Sequence, residues 1–257
     1  MDTRFLDAGG VRIAVERRGD GPRNLVFAHG WVSARRMWYD VVDRLEPDRF
    51  SAHLLDFRGC GRSDRPLEGH DLGGYCADLR AVLDDVGPCC LIAHSMGGKI
   101  AQALASEPHP AIEKLVLVAP GSARAVRLNE THRAHAVAAF GSRERIERFQ
   151  RGAMKRPLAP EVLERIVDDA LVAQREHWFG WYDKGRTQDF AALLGRISVP
   201  VVAVAGEGDP LAPASRVRRE TVEPIAGALF VTLRGAGHNL PVETPDEVAG
   251  VIERFVG

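Results

Sequence analysis

A serine, a histidine and an aspartate, each set among glycines, are the residues of this chain whose types could together break an acyl bond. Ser95 lies in Ala93-His94-Ser95-Met96-Gly97-Gly98, between an apolar run and an amphipathic one. This is the nucleophile-elbow pattern, with Ala in place of the first glycine. The turn has to be tight enough to lift the hydroxyl above a sheet, so the positions two before and two after the serine must be small. A serine among glycines also caps helices, and it is the strand-to-helix setting that points to a nucleophile.

A serine hydroxyl attacks a carbonyl at neutral pH only if a base takes its proton. Among nine histidines His238 is the best placed, in Arg234-Gly235-Ala236-Gly237-His238-Asn239-Leu240-Pro241, a glycine-rich loop after the last apolar run. The imidazole in turn needs a carboxylate to hold its tautomer. Asp209, in Gly206-Glu207-Gly208-Asp209-Pro210, follows another apolar run; the competing reading is a helix start, since Asp before Pro suits one. Asp183, Asp189 and Asp246 are weaker rivals because none follows a predicted strand. Charge developing on the substrate oxygen must meet positioned N–H donors. The amides of Met96 and of Trp31, in His29-Gly30-Trp31, are expected to supply them. His94 is expected to pack against or position the nucleophile, and His132, His135 and His177 to lie on the surface.

These residues need elements to bring them together. Asn24 to Ala28, Ser51 to Phe57, Cys89 to Ala93, Lys114 to Ala119, Pro200 to Ala205 and Ala228 to Leu233 are rich in Val, Leu and Ile and too short for three helical turns. They read as strands buried on both faces. Residues 71–86 place Leu72, Tyr75, Leu79, Val82, Leu83 and Val86 on one helical stripe, with Asp78, Arg80, Asp84 and Asp85 toward water. Residues 97–105 and 246–256 repeat the helical spacing. Strand and helix in alternation predict the α/β class, a mostly parallel central sheet covered by helices on both faces. Thr3 to Asp7 and Val11 to Arg17, around Ala8-Gly9-Gly10, predict a hairpin leading into it.

The alternation breaks from Ser122 to Arg196. Helical periods appear there (Ile146, Phe149, Gln150 and Ala153; then Leu163, Ile166, Val167, Ala170 and Leu171) with no convincing strand. An all-helical insertion over 122–196 is therefore expected within a core made of 1–121 and 197–257. It carries 14 Lys+Arg against 10 Asp+Glu, a surplus of 4, which leaves the rest of the chain at about −5 given a total of −1. A helical lid over the carboxyl ends of the strands would form a pocket where open α/β sheets bind ligands. Trp31, Trp178 and Trp181 are the expected substrate-lining side chains.

With His29-Gly30-Trp31, Asp56-Phe57-Arg58-Gly59-Cys60-Gly61-Arg62-Ser63, His94-Ser95-Met96-Gly97-Gly98, Gly206-Glu207-Gly208-Asp209 and Gly237-His238 in this order, the chain resembles the α/β-hydrolase superfamily. The match spans nearly the whole length, and the order Ser, Asp, His is that family's own. The resemblance implies that 122–196 is a cap domain, and that Asp56 to Ser63 is a structural loop shaping the pocket floor, with no catalytic role. Haloalkane dehalogenases and epoxide hydrolases of this fold carry Asp at the nucleophile position, so Ser95 argues against both. The chain is similar to capped serine esterases. Carbon–carbon bond hydrolases, lactonases and cofactor-free perhydrolases use the same triad and stay open, although His94 favours the esterases over the carbon–carbon hydrolases, which more often show Asn. A non-enzymatic small-ligand receptor on this fold is the alternative from another class.

Composition bounds the rest. At 257 residues with 45% hydrophobic and 27% charged residues, the chain has the make-up of a soluble globular protein, and a net charge of −1 gives no pull toward nucleic acid or an anionic membrane. Cys60, Cys76, Cys89 and Cys90 are too few for a disulfide scaffold and read as small hydrophobes in a reducing compartment. No signal-peptide or membrane-length apolar run appears, so a cytoplasmic protein is expected. The histidines show no metal-ligand spacing, so no metal and no cofactor are expected, and the partner is a small-molecule substrate. The oligomeric state is left open.

Overall fold

The computed structural model describes residues 2–127 and 130–257, without the side chains of Asp2 and His132. The surface expectation for His132 therefore lies outside the described residues. The chain opens with a hairpin of β1 (Asp2–Asp7) and β2 (Arg12–Arg18), followed by β3 (Arg23–Ala28), a short α1 (Tyr39–Val42) and β4 (Phe50–Leu55). Then come α2 (Leu72–Val86), β5 (Cys89–His94), α3 (Met96–Ala105) and β6 (Ile112–Val118). Four helices follow, α4 (Glu130–Ala139), α5 (Arg143–Ala153), α6 (Pro160–Leu171) and α7 (Arg175–Asp183). The chain closes with β7 (Val201–Gly206), α8 (Ala214–Val217), β8 (Leu229–Leu233), α9 (Leu240–Glu243) and α10 (Pro245–Val256).

The strands form one eight-stranded sheet in the order β1-β2-β4-β3-β5-β6-β7-β8. Among the described residues only the β1–β2 and β2–β4 pairings are antiparallel. β4, β5 and β7 are buried at every residue, which is why they read as unbroken apolar runs rather than as alternation. β3 pairs with β4 on one side and β5 on the other, in parallel to both. The strand order thus reverses at β3, and the loops leaving β3 and β5 open side by side into the crevice such a reversal creates. His29 and Ser95 are the first residues beyond β3 and β5.

Successive residues of each strand serve opposite faces. Val26 and Leu91 pack with Tyr75, Leu79 and Leu83 of α2 and Ile100 and Leu104 of α3. Leu25, Phe27 and Ile92 pack with Trp38, Val41 of α1 and Val248 and Ile252 of α10. α2 is capped by Asp71, whose side chain accepts from the Gly74 amide. Asp78, expected to face water, is fully buried on the same helix and accepts Arg58 Nε and Nη2, one edge of the guanidinium, at 2.9 and 2.6 Å. Burial pushes its carboxyl up and Arg58 pulls against that. The helical stripe alone gives no sign of this, because the cation that admits the carboxylate comes from twenty positions earlier.

Between β6 and β7 the described residues hold α4 to α7 and short 3-10 turns, and no strand. Ile146, Leu163, Ile166, Val167, Ala170 and Trp178 of these helices form an apolar cluster that also takes in Val32 and Val242. They meet the rest of the chain through polar pairs as well: Arg36 with Asp169, and Arg165 with Asp40. His177 of α7 is buried rather than on the surface, its Nδ1 2.8 Å from the Tyr75 hydroxyl of α2, and burial pulls its pKa down. His135 is exposed, in line with expectation. Among the described residues no helix is long and apolar enough to cross a membrane.

Candidate active site

The elbow is a backbone device. Ser95 has φ +50° and ψ −111°, a region L residues avoid, held between the end of β5 and the start of α3. Two glycines permit the close approach around it. A Cβ on Gly97 would lie 2.6 Å from the His29 carbonyl oxygen, and one on Gly30 would lie 2.8 Å from His94 Nδ1 and 3.3 Å from Ser95 Cβ. The loop after β3 therefore passes directly against the Ser95 turn.

His29 explains how that loop is set. Its Nε2 accepts the Phe57 amide at 3.0 Å, so Nδ1 carries the proton and donates to the Gly30 carbonyl at 2.7 Å. Burial holds its pKa down, which keeps the ring neutral. The Gly30 carbonyl and the Trp31 N–H belong to one peptide plane, so pinning the oxygen aims the N–H the opposite way. The Trp31 amide has no backbone acceptor among the described residues. The Met96 amide opens α3, where first-turn N–H groups have no acceptor within the helix.

Ser95, His238 and Asp209 come together in one chain of hydrogen bonds. His238 Nδ1 donates to Asp209 Oδ2 at 2.7 Å, and its Nε2 lies 2.9 Å from Ser95 Oγ. With the proton on Nδ1, the Nε2 lone pair faces the serine hydroxyl, which donates to it. Asp209 Oδ1 accepts the Leu211 and Ala212 amides at 2.7 and 2.8 Å. Burial works against its ionisation, but His238 and those two amides outweigh burial and hold its pKa below the ordinary carboxylate range. The helix-start alternative for Asp209 does not apply, since α8 begins only at Ala214. Asp209 and His238 are buried while Ser95 keeps some exposure.

The rival aspartates are engaged elsewhere. Asp183 pairs with Arg133, Asp246 with Arg44, and Asp189 accepts the Ala125 and Ala191 amides. His94 holds the histidine loop rather than the serine: its Nε2 donates to the His238 carbonyl at 2.9 Å. Burial pushes its pKa down to about 3, so this ring is neutral too. In the Asp56 to Ser63 loop, Asp56 pairs with Arg35 and accepts the Arg62 amide, while Ser63 donates to the Asp56 carbonyl.

Two of the three tryptophans depart from expectation. Trp178 and Trp181, expected to line a substrate pocket, are buried packing residues. Trp178 spends its N–H on the Ala136 carbonyl at 3.1 Å, and the Trp181 ring packs on Tyr75. Their aromatic area went to the seam between the helices and the sheet, where a large flat ring gains most from being covered on both faces. Trp31 itself rests on this seam, its ring 5.0 Å from Trp178 and 5.4 Å from Tyr182, its N–H bonded to the Trp178 carbonyl at 3.1 Å. Phe149 of α5, 6.1 Å from Trp31, keeps exposed surface beside it.

Lys99 and Glu243 are among the buried charged residues that escaped the sequence reading. Lys99, one turn after Ser95, donates to the carbonyls of Arg124, Arg186 and Gln188, clamping both ends of the helical segment to α3, and burial lowers its pKa to about 8. Glu243, five positions after His238, is the other. A single charge amid apolar helical neighbours was the available signal in each case. Among the described residues no cluster of three or more His, Cys, Asp or Glu could hold a metal. A cavity of about 660 Å³ between α2 and α3, lined by Leu72, Cys76, Leu104 and Phe190, has none of Ser95, Asp209 and His238 in its wall.

Residues 25–251 match the sequence profile of the alpha/beta hydrolase family. The chain is 28% identical over 264 residues to a pimeloyl-[acyl-carrier protein] methyl ester esterase of Aeromonas hydrophila, covering 96% of this chain and 100% of that protein. It is 24% identical over 259 residues to a bifunctional esterase/perhydrolase of Acinetobacter calcoaceticus, covering 92% and 93% of the two. In structure it is similar to an esterase from Exiguobacterium antarcticum, with a TM-score of 0.90 over 98% of each chain at 20% identity.

Proposed function

The chain belongs to the alpha/beta hydrolase family, and on that premise we propose that it is a serine hydrolase cleaving carboxylic esters of small molecules through an acyl-enzyme intermediate. The observation that carries this reading is the continuous bond chain from Ser95 Oγ through His238 to Asp209, with His238 in the tautomer that accepts the serine proton.

Ser95 Oγ attacks the ester carbonyl as its proton passes to His238 Nε2. The tetrahedral oxyanion is met by the Trp31 and Met96 N–H groups, both on rigid backbone and neither needing to reorient. His238 then protonates the departing alkoxide, leaving the acyl group on Ser95. Water enters, gives its proton to His238 and its oxygen to the acyl carbon, and the acid departs as Ser95 recovers the proton. Asp209 stays ionised throughout and stabilises the imidazolium. The helices of 122–196 act as a cap, and Trp31, next to the oxyanion amide, with Phe149 beside it offers apolar surface to the substrate.

Ester cleavage is favoured by the similarity to proteins named as esterases, one of them for a methyl ester. A perhydrolase activity at the same site is a second reading, favoured by the bifunctional relative. A receptor that only binds has no use for an aspartate fixing a histidine tautomer against a serine.

Replacing Ser95 by Ala tests the reading on a panel of aryl and alkyl esters of graded acyl length. Turnover should fall by at least about 10³-fold with the fold unchanged by circular dichroism. Retention of most of the activity by the variant would sink the mechanism. Rapid cleavage of a vinylogous diketone with poor ester turnover would move the assignment to carbon–carbon bond hydrolysis.

A further inference from the structure

Glu243, at the end of α9, is buried, and its carboxylate is surrounded by backbone donors. Oε2 accepts the amides of Gly237 at 2.9 Å, Lys155 at 2.8 Å and Arg156 at 3.2 Å, and Oε1 accepts the Asn239 amide at 2.9 Å. Gly237 and Asn239 are the two neighbours of His238. Lys155 and Arg156 belong to the turn between α5 and α6. One side chain thus ties the residues on either side of the general base to one another and to the helical segment.

The chemistry of the site requires a carboxylate. Four N–H groups converge on it, and only a group that accepts without donating satisfies all of them. Glutamine, of the same shape, would turn an NH₂ toward at least one N–H and leave buried donors opposed. His238's own backbone is held as well, its amide by the Ala153 carbonyl at 2.8 Å and its carbonyl by His94. The peptide carrying the imidazole is thus held at its own N–H and C=O and at both flanking residues.

We infer that Glu243 is a positioning residue for the reaction: it sets the place of His238 between Ser95 and Asp209, and locks the α5–α6 turn to that same point. This rests on the serine-hydrolase reading. It also means that the α5–α6 turn cannot swing away from the sheet without carrying the base with it.

The test is Glu243→Gln in the full chain, assayed with p-nitrophenyl esters and with a phosphonate that labels an activated serine. The expected result is kcat lower by about 10- to 100-fold, KM within about twofold, and phosphonate labelling of Ser95 slowed in proportion, in protein shown to be folded. The downfield NMR signal of the proton between His238 and Asp209 should shift or broaden. A variant that melts earlier but keeps the parent kcat, labelling rate and downfield signal would overturn the inference and leave Glu243 a stability residue. If Glu243→Gln does not fold, Glu243→Asp keeps the charge but falls short of the four amides, and the same kcat-specific loss is expected; an unchanged kcat there overturns the inference equally. Failure of the parent protein to turn over any ester or to accept the phosphonate would instead remove the hydrolase reading, and this inference with it.

Discussion

The Ser95 elbow and the His238 loop face each other across the carboxyl edge of the sheet, and they are built by opposite means. The elbow is shaped by its own backbone and the backbone of two neighbouring loops: a strained serine, Gly97 under the His29 carbonyl, Gly30 against Ser95, and the Gly121 amide donating to the Ser95 carbonyl at 2.8 Å. The His238 loop is shaped by side chains from elsewhere: His94 from β5, Asp209 after β7, Glu243 from α9, with the Ala153 carbonyl from the helical segment. Ser95 is placed by the absence of side chains, His238 by their presence. Substitutions on the two sides should therefore fail differently.

The largest effect is expected from Asp209→Asn. The Leu211 and Ala212 amides will keep the Asn oxygen where Asp209 Oδ1 now sits, which turns the NH₂ toward His238 Nδ1. The ring must then accept at Nδ1 and carry its proton on Nε2, where it can no longer take the serine proton. A fall in kcat of about 10⁴-fold with little change in melting temperature is expected. Steady-state kinetics beside Ser95→Ala measures it, and retention of a tenth of the parent kcat would rule out Asp209 as the orienting group.

On the other side of the cleft, Gly97→Ala should injure stability and activity together. The new methyl meets a backbone oxygen 2.6 Å away, which cannot rotate aside, so α3 or the β3 loop must shift. A loss of about 1–3 kcal/mol in stability and about 10²-fold in kcat is expected, read by denaturant unfolding and ester kinetics on the same preparation. If activity fell with stability untouched, the elbow would not be the steric device described.

The same contrast decides what could be read from the residues alone. The sheet was legible because β4, β5 and β7 are buried on both faces and their runs of Val, Leu and Ile have no other use. Ser95 was legible because an elbow needs small residues at fixed offsets, and Asp209 and His238 because each closes a glycine-rich loop at a strand end. Asp78, His177, Lys99 and Glu243 were not, for a common reason. A polar side chain can be buried when its partners are in place, and those partners are Arg58, Tyr75, three carbonyls and four amides brought in by the tertiary fold. Helical spacing sees only the polarity of the residue itself. Trp178 and Trp181 misled in the opposite sense, since aromatic residues serve an internal seam as readily as a pocket wall.

The smallest effect separates two ways in which the helical segment is fastened to the sheet. At the base side the fastening is Glu243 on four amides. At the Trp38 side it is Asp169 of α6, which accepts Arg36 Nε and Nη2 through one oxygen at 2.8 and 2.6 Å while its other oxygen is buried without a partner. Burial raises the Asp169 pKa to about 6, with Arg36 only partly offsetting it. In the unfolded chain the same carboxyl loses its proton near pH 4. Between about pH 4 and 6 the folded protein therefore holds a proton that the unfolded chain has released, so this residue's contribution to stability declines as pH rises through that window. The decline should total on the order of 1–3 kcal/mol and level off above it. Asp169→Asn removes the titration, so the difference in unfolding free energy between parent and variant should change across pH 4 to 6 and be flat from 7 to 8. A difference that stays constant over the whole range would show that Asp169 has the same pKa folded and unfolded, and that Arg36 offsets burial in full at this seam. At saturating ester kcat should change less than about twofold, because neither Arg36 nor Asp169 shares a hydrogen bond with the triad.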